Sequence, residues 1–155
     1  MDFEFYHGTE EKNVIPILKE GFVKRSLTDS GDFGAGVYLS QSLSRAKSYG
    51  KWIFTVEIDL DKFAYIETPY FIKNLKLIMP KNEIEELFYY TAFDDHGEMK
   101  TCSQNYYGSR KKAAEEIRKV FLEKGFKGIT TDYTGKETVV FDPSVIKIMN
   151  VKFHE

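Results

Sequence analysis

Two tyrosines, Tyr38 and Tyr49, stand eleven residues apart in the stretch Gly34-Ala-Gly-Val-Tyr-Leu-Ser-Gln-Ser-Leu-Ser-Arg-Ala-Lys-Ser-Tyr49. Their chemistry is that of the ring face. Two aromatic faces across a gap form a slot for a flat, electron-poor ring. The residues between them predict how the slot is built. Gly34 and Gly36 suit a tight turn or a close approach of backbone to ligand. Val37-Tyr38-Leu39-Ser40 reads as a short strand. Ser40 or Ser42 can cap the helix that follows, with Leu43, Ala46 and Lys47 at helical spacing. A strand that turns straight into a helix can bring its two ends, and so the two rings, together.

The remaining elements follow from hydrophobic periodicity. Asp2 to Tyr6 alternates apolar and acidic residues and predicts a strand ending at His7. Thr9 can cap the next helix, which carries Val14, Ile15 and Leu18. Pro16 is compatible with it only in the first turn, so a start near Asn13 is expected, with Gly21 as the stop. Residues 23–33 are polar and turn-rich and read as a loop. Trp52 to Leu60 alternates and predicts a strand, and Phe63 to Phe71 a loop with a short strand, broken at Pro69. Asn82 to Tyr90 has helical spacing, and residues 92–108 lack a period. Arg110 to Lys124 predicts a helix, with Ala113, Ala114, Ile117, Val120 and Phe121 on one face and Gly125 as its stop. Late strands are expected at Gly128 to Tyr133, Glu137 to Phe141 and Val145 to Phe153. Strands late and helices flanking the early strands make the chain α+β.

The bulk numbers bound the possibilities. One domain is expected from 155 residues, enough to bury a core. The 13 Phe and 10 Tyr favour a sheet-rich core with rings left over for a cleft. A net charge of -2 gives no global basic field for nucleic acid. The single cysteine, Cys102, rules out an internal disulfide and fits a reducing compartment. The start Met-Asp-Phe-Glu-Phe has neither a basic nor an apolar leader region, and no apolar run approaches ~18 residues. A cytoplasmic protein is therefore expected.

The motif Gly-x-Gly-Val-Tyr-Leu-Ser with Ser-Arg-Ala-x-x-Tyr resembles the second motif of the ADP-ribosyltransferases. Two further stretches resemble that superfamily's His-Tyr-Glu branch, which includes diphtheria-like toxins and poly(ADP-ribose) polymerases. Tyr6-His7-Gly8-Thr9 stands where the first motif is expected, and Glu137-Thr-Val-Val-Phe-Asp142 where the late catalytic strand is expected. Three motifs in order are more specific than any one of them. The resemblance covers both halves of the chain. It does not cover the middle, about residues 68–108, which reads as a variable insertion where target recognition could lie.

What the resemblance implies is a split mixed or antiparallel sheet with flanking helices, NAD as substrate and no metal. The implied reaction cleaves the nicotinamide–ribose bond through an oxocarbenium-like transition state. Tyr38 and Tyr49 then sandwich nicotinamide. The backbone of Gly8 meets its carboxamide, since a residue without Cβ lets a ligand approach main-chain N–H and C=O. His7 holds ribose hydroxyls, and Thr9 completes the first motif. Glu137 stabilises the developing cation and orients or deprotonates the acceptor. Taken singly, a His after a strand is commonly a turn residue, a Tyr in a strand is commonly core, and a Glu at a strand start is commonly solvated. Their joint order favours function for His7, Tyr38, Tyr49 and Glu137. Asp132 and Asp142 read as turn residues.

The chain departs from relatives at two points. Poly(ADP-ribose) polymerases carry a carboxamide-binding Ser three residues before the second tyrosine. Here that residue is Ala46, with Ser44 as a possible substitute. Arginine-modifying relatives carry Glu or Gln two residues before the catalytic glutamate. Here that residue is Gly135, so arginine as acceptor is not supported. The favoured function is transfer of a single ADP-ribose to a macromolecule, protein before nucleic acid. The alternatives are NAD hydrolysis and a non-catalytic module that binds NAD or ADP-ribose. Lys73, Lys76 and Lys81, with Tyr70 and Phe71 beside them, could grip a single strand, but a solvated face is the simpler reading. His96, Cys102 and Asp94-Asp95 lack paired metal-ligand spacing, and Cys102 has no recognisable partner as a nucleophile. Gly31-x-x-Gly34-x-Gly36 precedes its strand, where a dinucleotide fingerprint would follow one.

Overall fold

The computed structural model describes residues 2–22, 30–31, 34–66, 115, 117–132 and 136–155. The expected helix at 82–90, the lysines and aromatics of the middle segment, His96 and Cys102 lie outside them. Nine strands are described: β1 (Asp2–Thr9), β2 (Ser30–Gly31), β3 (Gly34–Ala35), β4 (Val37–Leu39), β5 (Trp52–Asp59), β6 (Phe63–Ile66), β7 (Gly128–Thr131), β8 (Thr138–Val140) and β9 (Lys147–Phe153). The helices are α1 (Val14–Glu20), α2 (Leu43–Lys47) and α3 (117–123). The fold is α+β.

β1, β5 and β9 form an antiparallel sheet with β5 central. A second sheet runs β4-β8-β7-β6, antiparallel except for the parallel pair β6–β7. β2 and β3 form a two-residue hairpin just ahead of β4. The two larger sheets share one core and are hydrogen-bonded where β1 meets the end of β4. Tyr6 N–H donates to the Ser40 carbonyl at 2.7 Å, and Ser40 N–H returns a bond to the Tyr6 carbonyl at 3.0 Å. β1 and the end of β4 are thereby tied edge to edge across a seam.

The alternation seen in the sequence explains the core. Phe5 of β1, Phe54, Val56 and Ile58 of β5, Val37 and Leu39 of β4 and Val140 of β8 are buried. Val14 and Ile17 of α1 pack with them, whereas Ile15 and Leu18, expected on the apolar face of this helix, are exposed, because a helix this short turns only one narrow stripe to the sheet. Pro16 is the third residue of α1, where its missing N–H has no intrahelical acceptor to lose. Gly21 ends α1 with φ 70°, a left-handed conformation that favours glycine. α3 ends at Gly125 in the same way. Phe126 N–H bonds the Phe121 carbonyl and Gly125 N–H bonds the Leu122 carbonyl, the pair of bonds that closes a Schellman cap. Phe121 is buried against Phe126 and Phe141, both with ring centroids at 5.8 Å.

Two local expectations need correction. Thr9 does not cap a helix. It completes β1, and its hydroxyl accepts from Asn13 Nδ2 at 2.9 Å, while Glu10 precedes a short 3-10 turn at Glu11–Asn13. The last strand begins at Lys147 instead of Val145, because Asp142 caps a 3-10 turn at Pro143–Val145 through its side chain.

Candidate active site

The seam brings the three motifs together. β4 and β8 pair Val37 with Val140, Tyr38 with Val139 and Leu39 with Thr138. Continuing that register sets Ser40 opposite Glu137, and Ser40 is the residue that bonds Tyr6. One row therefore runs from Glu137 through Ser40 to Tyr6, next to His7. Residues directly opposite in an antiparallel pair share a face, so Tyr38 and Glu137 are diagonal neighbours on one face, with Cβ atoms about 7 Å apart.

His7 is fixed by two contacts. Its Nδ1 lies 2.9 Å from the Tyr38 carbonyl, and its ring meets Phe22 edge-on at 5.0 Å. Burial lowers its pKa below the ordinary 6.5, more than the Tyr38 bond raises it, so the ring is neutral at pH 7. A carbonyl can only accept, so Nδ1 carries the proton and Nε2 is left as an acceptor. An Nε2 acceptor suits a sugar hydroxyl.

Gly8 has a packing reason to be glycine. A Cβ there would lie 1.8 Å from the Ala46 carbonyl oxygen on α2. Along an antiparallel strand, alternate residues aim N–H and C=O at the same edge. Tyr6 aims both at Ser40, so Gly8 presents both to that edge. Among the described residues no strand pairs with it there. An N–H and a C=O side by side fit a carboxamide, which needs one acceptor and one donor. Thr9 is buried, its hydroxyl engaged by Asn13 and its backbone tightly against Gly50.

α2 is short and anchored at its N-terminal end. The Ser42 hydroxyl accepts from Arg45 N–H at 3.2 Å, so Ser42 is the cap and not Ser40. Ser40 Oγ instead accepts from Ser42 N–H at 3.0 Å. Ala46 is buried against β1. Ser44 is exposed, and its hydroxyl lies 3.0 Å from that of Ser42. Two residues along a helix turn a side chain by about 200°, so Ser44 is not brought to the Gly8–Ala46 contact. Tyr49 follows α2 with 56 % of its surface exposed, and Tyr38 is half-buried on β4.

Glu137 lies immediately before β8, not within it as the sequence suggested. Its backbone is held hard. The carbonyl accepts from Thr131 N–H at 3.1 Å and from Thr131 Oγ1 at 2.7 Å. Lys136 before it takes φ 56°, an uncommon conformation for a residue with Cβ, and its carbonyl accepts from Thr138 Oγ1 at 2.9 Å. Glu137 is buried, at 9 % exposure, with Arg45 Nη2 at 3.9 Å from Oε1. Burial raises its pKa above the ordinary 4.5, and the Arg45 charge opposes that rise. A carboxylate raised by burial is the kind of group enzymes use as an acid or base.

Residues 4–56 match the family model of the poly(ADP-ribose) polymerase catalytic domain. That span holds His7, Gly8, Thr9, Tyr38, Ser44 and Tyr49. Glu137 lies beyond it and joins them through the β4–β8 pairing. The likeness is at the level of the ADP-ribosyltransferase superfamily. No curated protein matches the chain. A solved structure described as an anti-CRISPR protein is similar at 14 % identity with a TM-score of 0.47, covering 96 % of each chain.

The site also contains residues that the sequence did not mark out. Ser40, weighed only as a helix cap, is the junction of the two sheets. Arg45, inside the quoted Ser-Arg-Ala, reaches Glu137. Thr131 and Thr138 brace the glutamate, and the consecutive Thr130-Thr131 at a strand end was a legible hint of side chains bonding locally. Among the described residues, no three His, Cys, Asp or Glu side chains gather in a way that could hold a metal ion, and no helix is long and apolar enough to cross a membrane.

Proposed function

We propose that the protein is an NAD-dependent mono-ADP-ribosyltransferase of the His-Tyr-Glu type, with an ADP-ribosyltransferase-type split sheet and a protein acceptor. The reading is carried by the seam. The Tyr6–Ser40 bonds, the β4–β8 register and the His7–Tyr38 bond gather first, second and third motifs at one edge. A residue-by-residue assignment follows. The free Gly8 N–H and C=O hold the nicotinamide carboxamide, and Tyr38 and Tyr49 flank the ring. Neutral His7, with Nε2 unprotonated, accepts from a ribose hydroxyl. Glu137, when ionised, faces the ribose and stabilises positive charge developing on it.

The step balances simply. The bond from ribose C1′ to the nicotinamide nitrogen breaks with its electron pair leaving on nicotinamide. A nucleophile of the acceptor forms the new bond to C1′. Its proton passes to Glu137, whose raised pKa suits it to receive one. The buried position of Glu137 limits competition from water.

The test is incubation of the protein and its Glu137→Gln variant with NAD labelled in the adenylate phosphate and a cell lysate, followed by separate protease and nuclease digestion. The reading expects a macromolecular label that protease releases and that the variant does not make. Label released by nuclease alone would move the acceptor to nucleic acid. Label found only as free ADP-ribose would make the protein an NAD hydrolase. Binding of NAD with no turnover would make it a binding module.

A further inference from the structure

We propose that Arg45 is the positioning residue of this site: its guanidinium ties Glu137 to the helix that leads to Tyr49, and its buried Nε–H is kept for an oxygen acceptor of the bound nucleotide. The proposal rests on the NAD reading for the identity of the nucleotide, but not for the tie to Glu137.

Three observations carry it. First, Arg45 Nη2 stands 3.9 Å from Glu137 Oε1. That is beyond hydrogen-bond length, so the contact is a charge interaction that leaves the carboxylate oxygens free for other donors. Second, the guanidinium carbon lies 5.8 Å from the centroid of the Tyr49 ring, within cation–π range. One side chain thus touches both the glutamate of the third motif and the second tyrosine of the second. Third, Arg45 Nε is buried and has no hydrogen-bond partner among the described residues. An N–H of a charged group removed from water without an acceptor is unfavourable, and in a native structure such a group calls for a reason. A ligand oxygen arriving between Glu137 and Tyr49 supplies one.

The backbone explains why Arg45 can aim. Its N–H is bound by the Ser42 cap, and its carbonyl accepts from Ser48 N–H at 3.2 Å and Ser48 Oγ at 2.6 Å. α2 itself is wedged against β1 at Gly8 and Ala46. Glu137 is braced independently by Thr131. The pair therefore joins two fixed frames across the seam. Among the described residues, the other groups beside Glu137 carry no opposing charge to it. Lys136 Nζ lies over the Phe3 ring at 5.3 Å, His7 is neutral, and the residues of β7 that touch Glu137 are threonines. An ordinary surface ion pair would explain the distance to Glu137, but not the orphaned Nε or the ring contact.

The experiment compares wild type, Arg45→Met and Arg45→Lys, with the Glu137 carboxyl followed by carbon-13 NMR of glutamate-labelled protein and assigned by its loss in Glu137→Gln. Each variant is first checked for a cooperative melt. The expected result is a Glu137 titration midpoint that rises in Arg45→Met and returns toward wild type in Arg45→Lys, which restores charge. Calorimetry with NAD then separates the second half of the proposal. Lys lacks the Nε–H and the planar fork, so Arg45→Lys is expected to bind NAD about tenfold more weakly than wild type, as suits a lost hydrogen bond to a charged group. An unchanged midpoint in Arg45→Met overturns the tie to Glu137. Equal NAD affinity of Arg45→Lys and wild type overturns the role of Nε. A moved midpoint in a protein whose wild type makes no adduct leaves the tie standing and removes the transferase reading.

Discussion

Gly8→Ala is the perturbation whose outcome the structure sets most tightly. The new Cβ would lie 1.8 Å from the Ala46 carbonyl oxygen, 2.6 Å from its carbon and 3.1 Å from the Gly50 oxygen. Ordinary contact begins near 3.4 Å, so the first gap must widen by about 1.6 Å, an amount backbone can supply only by moving α2 as a body. β1 cannot yield easily, because it is paired to β5 along its whole length and to Ser40 at Tyr6. Overpacking of this kind typically costs about 1–3 kcal/mol. For a chain of this size each kcal/mol lowers the melting temperature by roughly 2–4 °C, so a fall of about 2–12 °C is expected. α2 carries Arg45 and leads to Tyr49, so NAD affinity should fall along with stability, by more than the missing carboxamide contact alone would give. Differential scanning fluorimetry and calorimetry with NAD read the two effects. Gly21→Ala is the control: its φ of 70° makes Ala strained, but nothing stands within 4 Å of the added Cβ, so stability should fall about 1 kcal/mol with NAD affinity unchanged. A Gly8→Ala protein that melts like wild type and binds NAD equally would refute the packing argument and, with it, the idea that β1 and α2 are held in one fixed relation.

Glu137→Gln should lower transfer by about 100- to 1000-fold while leaving the protein as stable or more stable at pH 7–8. A carboxyl raised by burial favours folding below its ordinary 4.5 and loses that contribution as pH rises through the raised value. The stability gap between variant and wild type should therefore open with rising pH and vanish near pH 4, a trend read by urea titrations at several pH values. His7 has the opposite sign. Its pKa is lowered by burial, so its contribution is intact above 6.5 and is lost as pH falls through the lowered value. His7→Asn, which can keep a donor to the Tyr38 carbonyl but does not titrate, should lose less stability than wild type between pH 6.5 and 5. Tyr49→Ala should weaken NAD binding roughly 2- to 12-fold, from about 0.5–1.5 kcal/mol of stacking, and Tyr49→Phe far less. With Tyr49 56 % exposed, neither change should move the melting temperature appreciably.

The sequence made some parts of this arrangement legible and concealed others, for physical reasons. β1 and β5 were readable because their apolar periods match the face they bury: Phe5, Phe54, Val56 and Ile58 are all fully in the core, whereas α1 was readable as a helix but not in its face, since Ile15 and Leu18 are exposed and Ile17 is buried with Val14. Ser42 and Gly125 were readable as helix ends because capping is local chemistry. What could not be read was pairing. Nothing in Tyr6 or Ser40 announces that their backbones bond each other, since a backbone bond carries no residue signature. The dislocation of Glu137 from the strand it was expected to open is similar. It depends on Lys136 taking a positive φ and on Thr131 reaching across from β7. The need for glycine at position 8 was attributed to ligand approach. Packing against Ala46 demands it already, so the glycine by itself says nothing about a ligand.

The seam also accounts for how one small chain can hold a buried carboxylate in an expensive state. Glu137 is largely removed from water, and among the described residues its charge is offset by a guanidinium at 3.9 Å. Here β1 and β4 are tied through Tyr6 and Ser40, with His7 reaching the Tyr38 carbonyl, and past that contact no described strand pairs with the Gly8 edge of β1. The same break leaves Arg45 Nε without an acceptor. An unsatisfied donor on one side and a carboxylate raised by burial on the other favour a polar guest over an apolar one, in keeping with the proposed nicotinamide riboside. An apolar probe such as an anilinonaphthalene dye should therefore fail to displace NAD from this edge, whereas nicotinamide should compete, and displacement by the dye would contradict the polar character assigned to the seam.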